Sequence, residues 1–234
     1  MAKEKVLVIT AHPDDVDFSC SGTMIIWSRS KEIYYAVCTS GDKGNHIGKT
    51  KKEIIKMRED EQREAAKIAG VKEVIFLREP DGELENTKRL REKIVKLIRE
   101  VKPDILFTFD PSNNKFDQIY KYHPDHRAVG MAVYDSIYPA IGNKNFFPHH
   151  IVSEGLKPHE VKEIYFYGSD YPNFWVDITK IIDKKIKTIM CHKSQFGNRK
   201  DIGEFVKLRH SEMAKKGDKK MQYAECFRKL EMPK

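Results

Sequence analysis

The chain has 234 residues, of which 40% are hydrophobic and 33% charged, and its formal net charge is +8. This length suits one α/β domain (1–234), and the composition excludes a disordered or membrane-spanning chain. The first apolar stretch, residues 6–9, is too short for a signal-peptide core or a transmembrane helix. We therefore expect a cytoplasmic protein without membrane insertion.

The basic excess lies largely in lysine clusters, such as Lys51 with Lys52 and Lys184 with Lys185. We interpret these clusters as solvated helix faces, because no nucleic-acid-binding motif accompanies them. The four cysteines form no Cys-x-x-Cys pair, which is typical of reduced core residues. The sequence thus predicts no nucleic-acid partner and no disulfide framework.

Strands and helices alternate in the first half of the chain. Each predicted strand is a short, apolar and mostly β-branched run, and each predicted helix has apolar residues at helical spacing. The strands are residues 5–10, 33–39, 74–77 and 105–109, and the helices are residues 21–30, 51–69 and 86–101. This alternation favours a Rossmann-like, mostly parallel sheet with helices on both faces.

The second half is less regular. We predict a helix at residues 125–138, strands at 163–167 and 175–176, and a further helix at 178–191. The remaining third gives no clear prediction. No repeat, low-complexity tract or linker divides the chain, so we expect a single domain.

The loop after the first strand carries a histidine and two acids. In an α/β sheet, ligands bind beyond the carboxyl ends of the strands, and His12, Asp14 and Asp15 lie there. A dinucleotide-binding protein would have a glycine-rich loop at this point, and two carboxylates would repel a pyrophosphate. The loop therefore indicates either a divalent-metal site, zinc in particular, or a solvated acidic loop.

A second cluster of the same residue types favours the metal site. His123, Asp125 and His126 follow the fourth predicted strand across a loop, so a helix that begins there starts at the same edge of the sheet. Core packing does not explain two such clusters at strand ends.

These two clusters resemble the motifs of the LmbE/PIG-L family of zinc-dependent N-acetylglucosaminyl deacetylases. The family pattern is Ala-His-Pro-Asp-Asp-x-Glu followed later by His-x-Asp-His. Residues 11–15 match the first motif and residues 123–126 the second, but Asp17 stands where the family has Glu. The likeness extends to Gly22, Thr23, Gly41, Asp42, Arg58, Glu61, Ala65, Ala66, Asp81, Gly82, Tyr223, Ala224, Glu225 and Phe227.

The resemblance implies a role for each matched residue. It makes His12, Asp15 and His126 the ligands of Zn²⁺, with another divalent ion such as Fe²⁺ as the alternative, and it makes Asp14 the general base. His123 is the implied donor to the oxyanion of the tetrahedral intermediate. Asp125 is implied to orient His123, with a helix N-cap as the simpler interpretation.

Arg58 is assigned to the substrate on the same resemblance, as a donor to acyl or sugar oxygens. By itself, an arginine on a charged helix is usually solvated or paired, here with Glu61. The remaining histidines are expected to be surface or core residues, and His192 is the least certain of them. They are His46, His149, His150, His159, His192 and His210.

The resemblance implies hydrolytic removal of an N-acetyl group from an N-acetylglucosamine-type sugar, and a homo-oligomer such as a trimer or hexamer. One alternative is an amidase of the same family that acts on another amide, such as a thiol conjugate or a longer acyl chain. Another is a non-catalytic metal- or sugar-binding protein. The presence of Asp14 beside only three metal ligands disfavours that alternative, because structural zinc sites are closed by four ligands.

Overall fold

The computed structural model describes residues 3–44, 46–197, 199–217 and 220–233. The ends of the predicted domain, residues 1–2 and 234, lie outside the described residues. The strands are β1 (Lys5–Thr10), β2 (Glu32–Thr39), β3 (Glu73–Glu79), β4 (Ile105–Phe109), β5 (Glu163–Tyr167), β6 (Phe174–Asp177) and β7 (Ala224–Glu231). The helices are α1 (Asp15–Ser19), α2 (Ser21–Trp27), α3 (Lys51–Ala69), α4 (Lys88–Val101), α5 (Pro124–Asp135), α6 (Pro148–Val152), α7 (Ile182–Ile189), α8 (Lys193–Phe196) and α9 (Ile202–Lys215).

The strands form one mixed sheet with the order β3-β2-β1-β4-β5-β7-β6. The first five strands in the chain pair in parallel, whereas β7 runs antiparallel to both β5 and β6. The chain moves from β1 outward to β3 and then returns to place β4 on the other side of β1. This change of direction opens a crevice at the carboxyl ends of β1 and β4, where α/β proteins bind their ligands.

The central strands are apolar because both faces of the sheet are covered. Val6, Leu7, Val8 and Ile9 of β1 are fully buried, and every residue of β4 is buried. Such continuous apolar runs are typical of the inner strands of a parallel sheet. The mostly parallel α/β fold predicted from the sequence is therefore confirmed.

The helix that follows β4 is shorter than predicted. Regular α-helix ends at Asp135, and a kinked segment, Ser136–Ile141, continues the chain. Tyr138 has φ −133° and ψ 127°, because the ring of Pro139 disfavours helical backbone at the residue before it. The helix predicted at residues 178–191 likewise begins as a 3₁₀ turn and becomes α-helical only over Ile182–Ile189.

The part of the chain that gave no prediction forms α8, α9 and β7. The carboxylate of Glu225, on β7, accepts hydrogen bonds from the backbone N–H groups of Gly22 (2.8 Å) and Thr23 (2.7 Å) at the start of α2. The Nζ of Lys185, on α7, lies 2.7 Å from the same carboxylate, and both side chains are fully buried. The last strand thus fixes the helix layer beside β1.

Within the described ranges, no helix combines the length and the apolar character that crossing a membrane requires.

Candidate active site

The two acid-and-histidine clusters meet at the carboxyl ends of β1 and β4. Asp15 is the first residue of α1, and its Oδ2 accepts hydrogen bonds from the hydroxyl of Thr10 (3.0 Å) and the backbone N–H of His12 (2.7 Å). His126 lies in the first turn of α5, and its ring stacks on Phe109 at the end of β4. Backbone and packing contacts therefore fix these side chains before any ligand binds.

The structure brings the three predicted metal ligands together. Nδ1 of His12 lies 3.5 Å from Oδ2 of Asp15, and Nε2 of His126 lies 3.1 Å from Oδ1 of the same carboxylate. The side chains are 12%, 10% and 14% exposed respectively, so all three are largely buried. Two imidazoles and one carboxylate are donors that can hold a divalent metal ion.

The far side of the His12 ring faces two further carboxylates. Its Nε2 lies 2.9 Å from Oδ2 of Asp125 and 3.2 Å from Oδ1 of Asp81. These acids fix Nε2 as a hydrogen-bond donor, so a neutral His12 presents the lone pair of Nδ1 toward Asp15. A carboxylate behind a metal-ligating histidine is a recurrent arrangement, and the donor set therefore fits a divalent cation.

The same carboxylates shift the protonation of the site in the absence of a cation. Burial lowers the pKa of His12, but its contacts with Asp125, Asp15 and Asp81 outweigh burial and raise that pKa to about 12. Burial opposes ionisation of Asp15, yet His126 and His12 hold the pKa of Asp15 well below its usual range. The crevice is thus strongly anionic apart from its histidines, which favours binding of a cation.

Asp125 contacts His12 rather than the ring of His123, to which the resemblance assigned it. The two Asp125 oxygens accept hydrogen bonds from the backbone N–H groups of Gly82 (2.7 Å) and Leu84 (3.1 Å). The N-cap of α5 is His123 instead, whose Nδ1 accepts the backbone N–H of Asp125 at 3.2 Å. Since Nδ1 is the acceptor, the ring proton of neutral His123 lies on Nε2, which can donate.

The His123 imidazole stands beside the other two histidines. Its ring centroid lies 4.9 Å from that of His12 and 5.2 Å from that of His126. Burial and these two neighbours lower the pKa of His123, so its neutral form is favoured. It also borders a cavity of about 290 Å³, whose lining includes Phe116 and Tyr122 of the loop before α5.

Asp14 lies next to this cluster in an uncommon backbone conformation. Its φ is 92° and its ψ −28°, in the left-handed region that few residues other than glycine adopt. Burial raises the pKa of Asp14 to about 6, although the Arg58 guanidinium, 3.4 Å from Oδ2, opposes the shift. A carboxylate with a pKa near neutrality can both accept and return a proton.

Arg58 is directed toward this cluster, and it is buried. Its guanidinium donates to the carbonyl oxygens of Gly41 (3.1 Å) and Pro13 (2.9 Å) in addition to the Asp14 contact. The contacts that fix Arg58 are therefore with the two loops of the crevice. A substrate contact of Arg58 stays a prediction.

The contacts of Asp81 and Gln62 in this crevice were not predicted from the sequence. Asp81 was noticed only as part of the resemblance, although its position after β3 places it at the same sheet edge. Gln62 lies one helical turn after Arg58 on α3 and contacts Asp14 and Asp17. His192 was expected to be a surface or core residue; it is fully buried, with Nε2 2.8 Å from Oδ2 of Asp17. Only the helical spacing from Arg58 offered a signal for Gln62.

Comparisons with known proteins agree with this arrangement. The family model of the PIG-L family, described as GlcNAc-PI de-N-acetylase, matches residues 7–137. The diacetylchitobiose deacetylase of Thermococcus kodakarensis is 33% identical over 195 residues, which cover 82% of this chain and 70% of the relative. A probable N-acetyl-α-D-glucosaminyl L-malate deacetylase 2 of Bacillus anthracis is 27% identical over 201 residues, covering 83% and 82%.

A solved structure with the same fold covers nearly the whole chain. It is the N,N′-diacetylchitobiose deacetylase of Pyrococcus horikoshii, which aligns with 98% of this chain and 84% of its own, at a TM-score of 0.87 and 30% identity. The residues that the family model matches include both motif clusters of the crevice. The chain therefore belongs to the PIG-L family.

Proposed function

We propose that this protein is a metal-dependent hydrolase that removes the N-acetyl group from an N-acetylglucosamine-type sugar. The observation that carries the proposal is the position of the Asp14 carboxylate, in contact with Arg58, beside the convergent donors His12, Asp15 and His126. Relatives that cover most of the chain are named as deacetylases of such sugars.

The proposed metal ligands are Nδ1 of His12, the carboxylate of Asp15 and Nε2 of His126, and the proposed ion is Zn²⁺. A bound divalent ion would acidify a water molecule and polarise the amide carbonyl of the substrate. Asp81 and Asp125 fix the His12 tautomer that leaves Nδ1 free as a ligand. An iron(II) ion would fit the same donors, so metal analysis decides between the two.

Asp14 acts as the proton carrier in this proposal. It accepts a proton from the attacking water and later returns it to the departing amine, so the amide C–N bond breaks with a neutral leaving group. Arg58 lies 3.4 Å from Oδ2 and stabilises the ionised form, while burial favours the protonated form. Burial and Arg58 thus shift the pKa of Asp14 in opposite directions.

His123 stabilises the developing oxyanion. Because its Nδ1 accepts from the backbone of Asp125, its Nε2–H is available to donate toward the crevice. A donor fixed by the start of α5 needs no reorganisation as negative charge grows on the carbonyl oxygen. We propose that the cavity beside His123 receives the sugar and that Arg58 contributes a hydrogen bond to the acyl or sugar oxygens.

An amidase of the same family with another acyl or amine group is the second candidate, because the same residues would serve it. The distinguishing experiment measures acetate released from free N-acetylglucosamine, diacetylchitobiose, and the inositol and malate conjugates of N-acetylglucosamine. Metal content is measured on the same preparation. Acetate from at least one sugar supports the proposal, and a metal-loaded protein that releases none from any of them refutes it.

The proposed assembly rests on the resemblance alone, and the proposed location rests on the sequence analysis. We propose a homo-oligomer, a trimer or a hexamer, in the cytoplasm. Sedimentation equilibrium of the purified protein tests the oligomeric state.

A further inference from the structure

Two residues of α3 hold the peptide group that precedes the catalytic base. The carbonyl oxygen of Pro13 accepts a hydrogen bond from Nη2 of Arg58 at 2.9 Å. The N–H of Asp14, which belongs to the same peptide group, donates to Oε1 of Gln62 at 2.8 Å. Arg58 and Gln62 are one helical turn apart, so a single rigid helix holds both polar atoms of this peptide.

That peptide leads into backbone that is unfavourable for an aspartate. Asp14 has a φ of 92°, at which its Cβ crowds the backbone. A glycine, which has no Cβ, would adopt this φ without that strain. Asp14 is the N-cap of α1, yet its side chain makes no capping hydrogen bond. No capping bond of its own side chain maintains this conformation, and the Asp14 carboxylate contacts Arg58 instead, at 3.4 Å.

The orientation of the Gln62 amide is itself fixed. Its Nε2 donates to Oδ2 of Asp17 at 2.9 Å, and Nε2 of His192 lies 2.8 Å from the same oxygen. Gln62, Asp17 and His192 are all fully buried. A backbone N–H only donates, so the amide oxygen of Gln62 must face Asp14, and the amide nitrogen therefore faces Asp17.

We propose that Gln62 is a positioning residue for catalysis: its amide, oriented by Asp17 and His192, holds the Pro13–Asp14 peptide so that the Asp14 carboxylate faces the attacking water. The proposal rests on the proposed role of Asp14 as general base. It also gives Asp17, where the family has Glu, a defined task, because its carboxylate joins Gln62 to His192.

The test compares Gln62→Met, which keeps the side-chain length and removes both hydrogen bonds, with Ser21→Ala. The Ser21 hydroxyl is also buried and bonds to the backbone oxygen of Asp17 (2.9 Å) and to Thr188 (3.0 Å), away from Asp14. For Gln62→Met we expect kcat to fall by roughly 10- to 100-fold, with KM changed by less than about twofold and metal content unchanged. Ser21→Ala should leave kcat unchanged at a similar cost in stability.

Crystal structures of the wild type and of Gln62→Met provide a readout that does not depend on activity. We expect Asp14 to leave the positive-φ region in the variant. An unchanged φ at Asp14, an unchanged kcat in an active enzyme, a rise in KM alone, or a loss of kcat proportional to lost metal would overturn the proposal. If the wild type deacetylates no sugar but φ still changes, the proposed function fails and the structural role of Gln62 stands.

Discussion

The carboxylate of Asp125 lies 2.9 Å from Nε2 of His12, on the side of the imidazole opposite Asp15. Backbone N–H groups of Gly82 and Leu84 hold this carboxylate in place. The loop after β3, the start of α5 and the loop after β1 are thus joined through one side chain. Asp125 therefore acts on a predicted metal ligand, whereas the ring of His123 receives only its backbone N–H.

This contact predicts a weaker metal site when the charge of Asp125 is removed. Asp125→Asn should lower metal affinity by about 10- to 100-fold, because carboxylates behind a ligating histidine contribute an effect of that size. Competition with a chromogenic chelator measures the affinity. His123→Ala is the control, and an Asp125→Asn protein that binds metal as tightly as the wild type would contradict the assignment.

His123 should affect the chemical step without affecting the metal. His123→Ala removes the donor that we assign to the oxyanion, and loss of one such donor lowers kcat by about 100- to 1,000-fold. Steady-state kinetics on the best sugar of the panel, with metal analysis of the same sample, gives the measurement. A small effect on kcat would show that another group donates to the oxyanion.

The buried pair of Lys185 and Glu225 should dominate the local stability of the helix layer. Lys185→Met leaves the Glu225 carboxylate buried without its cation, which costs about 3–5 kcal/mol in the free energy of unfolding. The matched control is Lys184→Met, since Lys184 is exposed on the same helix. Urea denaturation followed by circular dichroism measures both, and equal unfolding free energies for the two variants would refute the prediction.

The free energy of unfolding should depend on pH through the buried side chain of His210. Burial, followed by the charge of Lys185, lowers its pKa to about 2, and its Nδ1 donates to the backbone oxygen of Ala224 at 2.9 Å. The unfolded chain takes up a proton at His210 near pH 6.5 and the folded chain does not. The contribution of His210 to the free energy of unfolding is therefore complete above pH 6.5 and is lost as the pH falls. Because of His210, the free energy of unfolding should therefore fall by about 1.4 kcal/mol as the pH falls from 7.5 to 5.5.

The variant His210→Asn keeps a donor for the Ala224 oxygen and cannot titrate in this range. Its unfolding free energy should fall less than that of the wild type over the same pH interval, by the amount just given. Identical pH dependences of the two proteins would show that His210 has the same pKa in the folded and the unfolded chain.

The central sheet could be predicted from the sequence because its strands are buried on both faces. The continuous apolar runs at β1 and β4 can be recognised as buried strands from the local sequence. Strand β7 left no such pattern, because charged residues such as Glu225 and Arg228 interrupt it at irregular spacing. Both residues are paired in the fold, with Lys185 and Asp110 respectively, across long sequence separations.

The candidate site was predictable only where residues cluster along the chain. The two motif clusters identified His12, Asp15 and His126, and the fold brings them together. The contacts of Gln62 with Asp14 and of His192 with Asp17 join residues 48 and 175 positions apart, and neither residue stands out locally. The partner of Asp125 was misassigned for the same reason, since His123 is its neighbour in sequence and His12 its neighbour in space.

In the proposed mechanism, Asp14 moves the proton while His12, Asp15 and His126 hold the metal. The most direct test determines kcat and metal content for Asp14→Asn and His126→Ala in parallel. Asp14→Asn should retain the metal of the wild type and lose nearly all acetate release, whereas His126→Ala should lose both. An Asp14→Asn protein as active as the wild type at equal metal content would rule out the proposed role of Asp14.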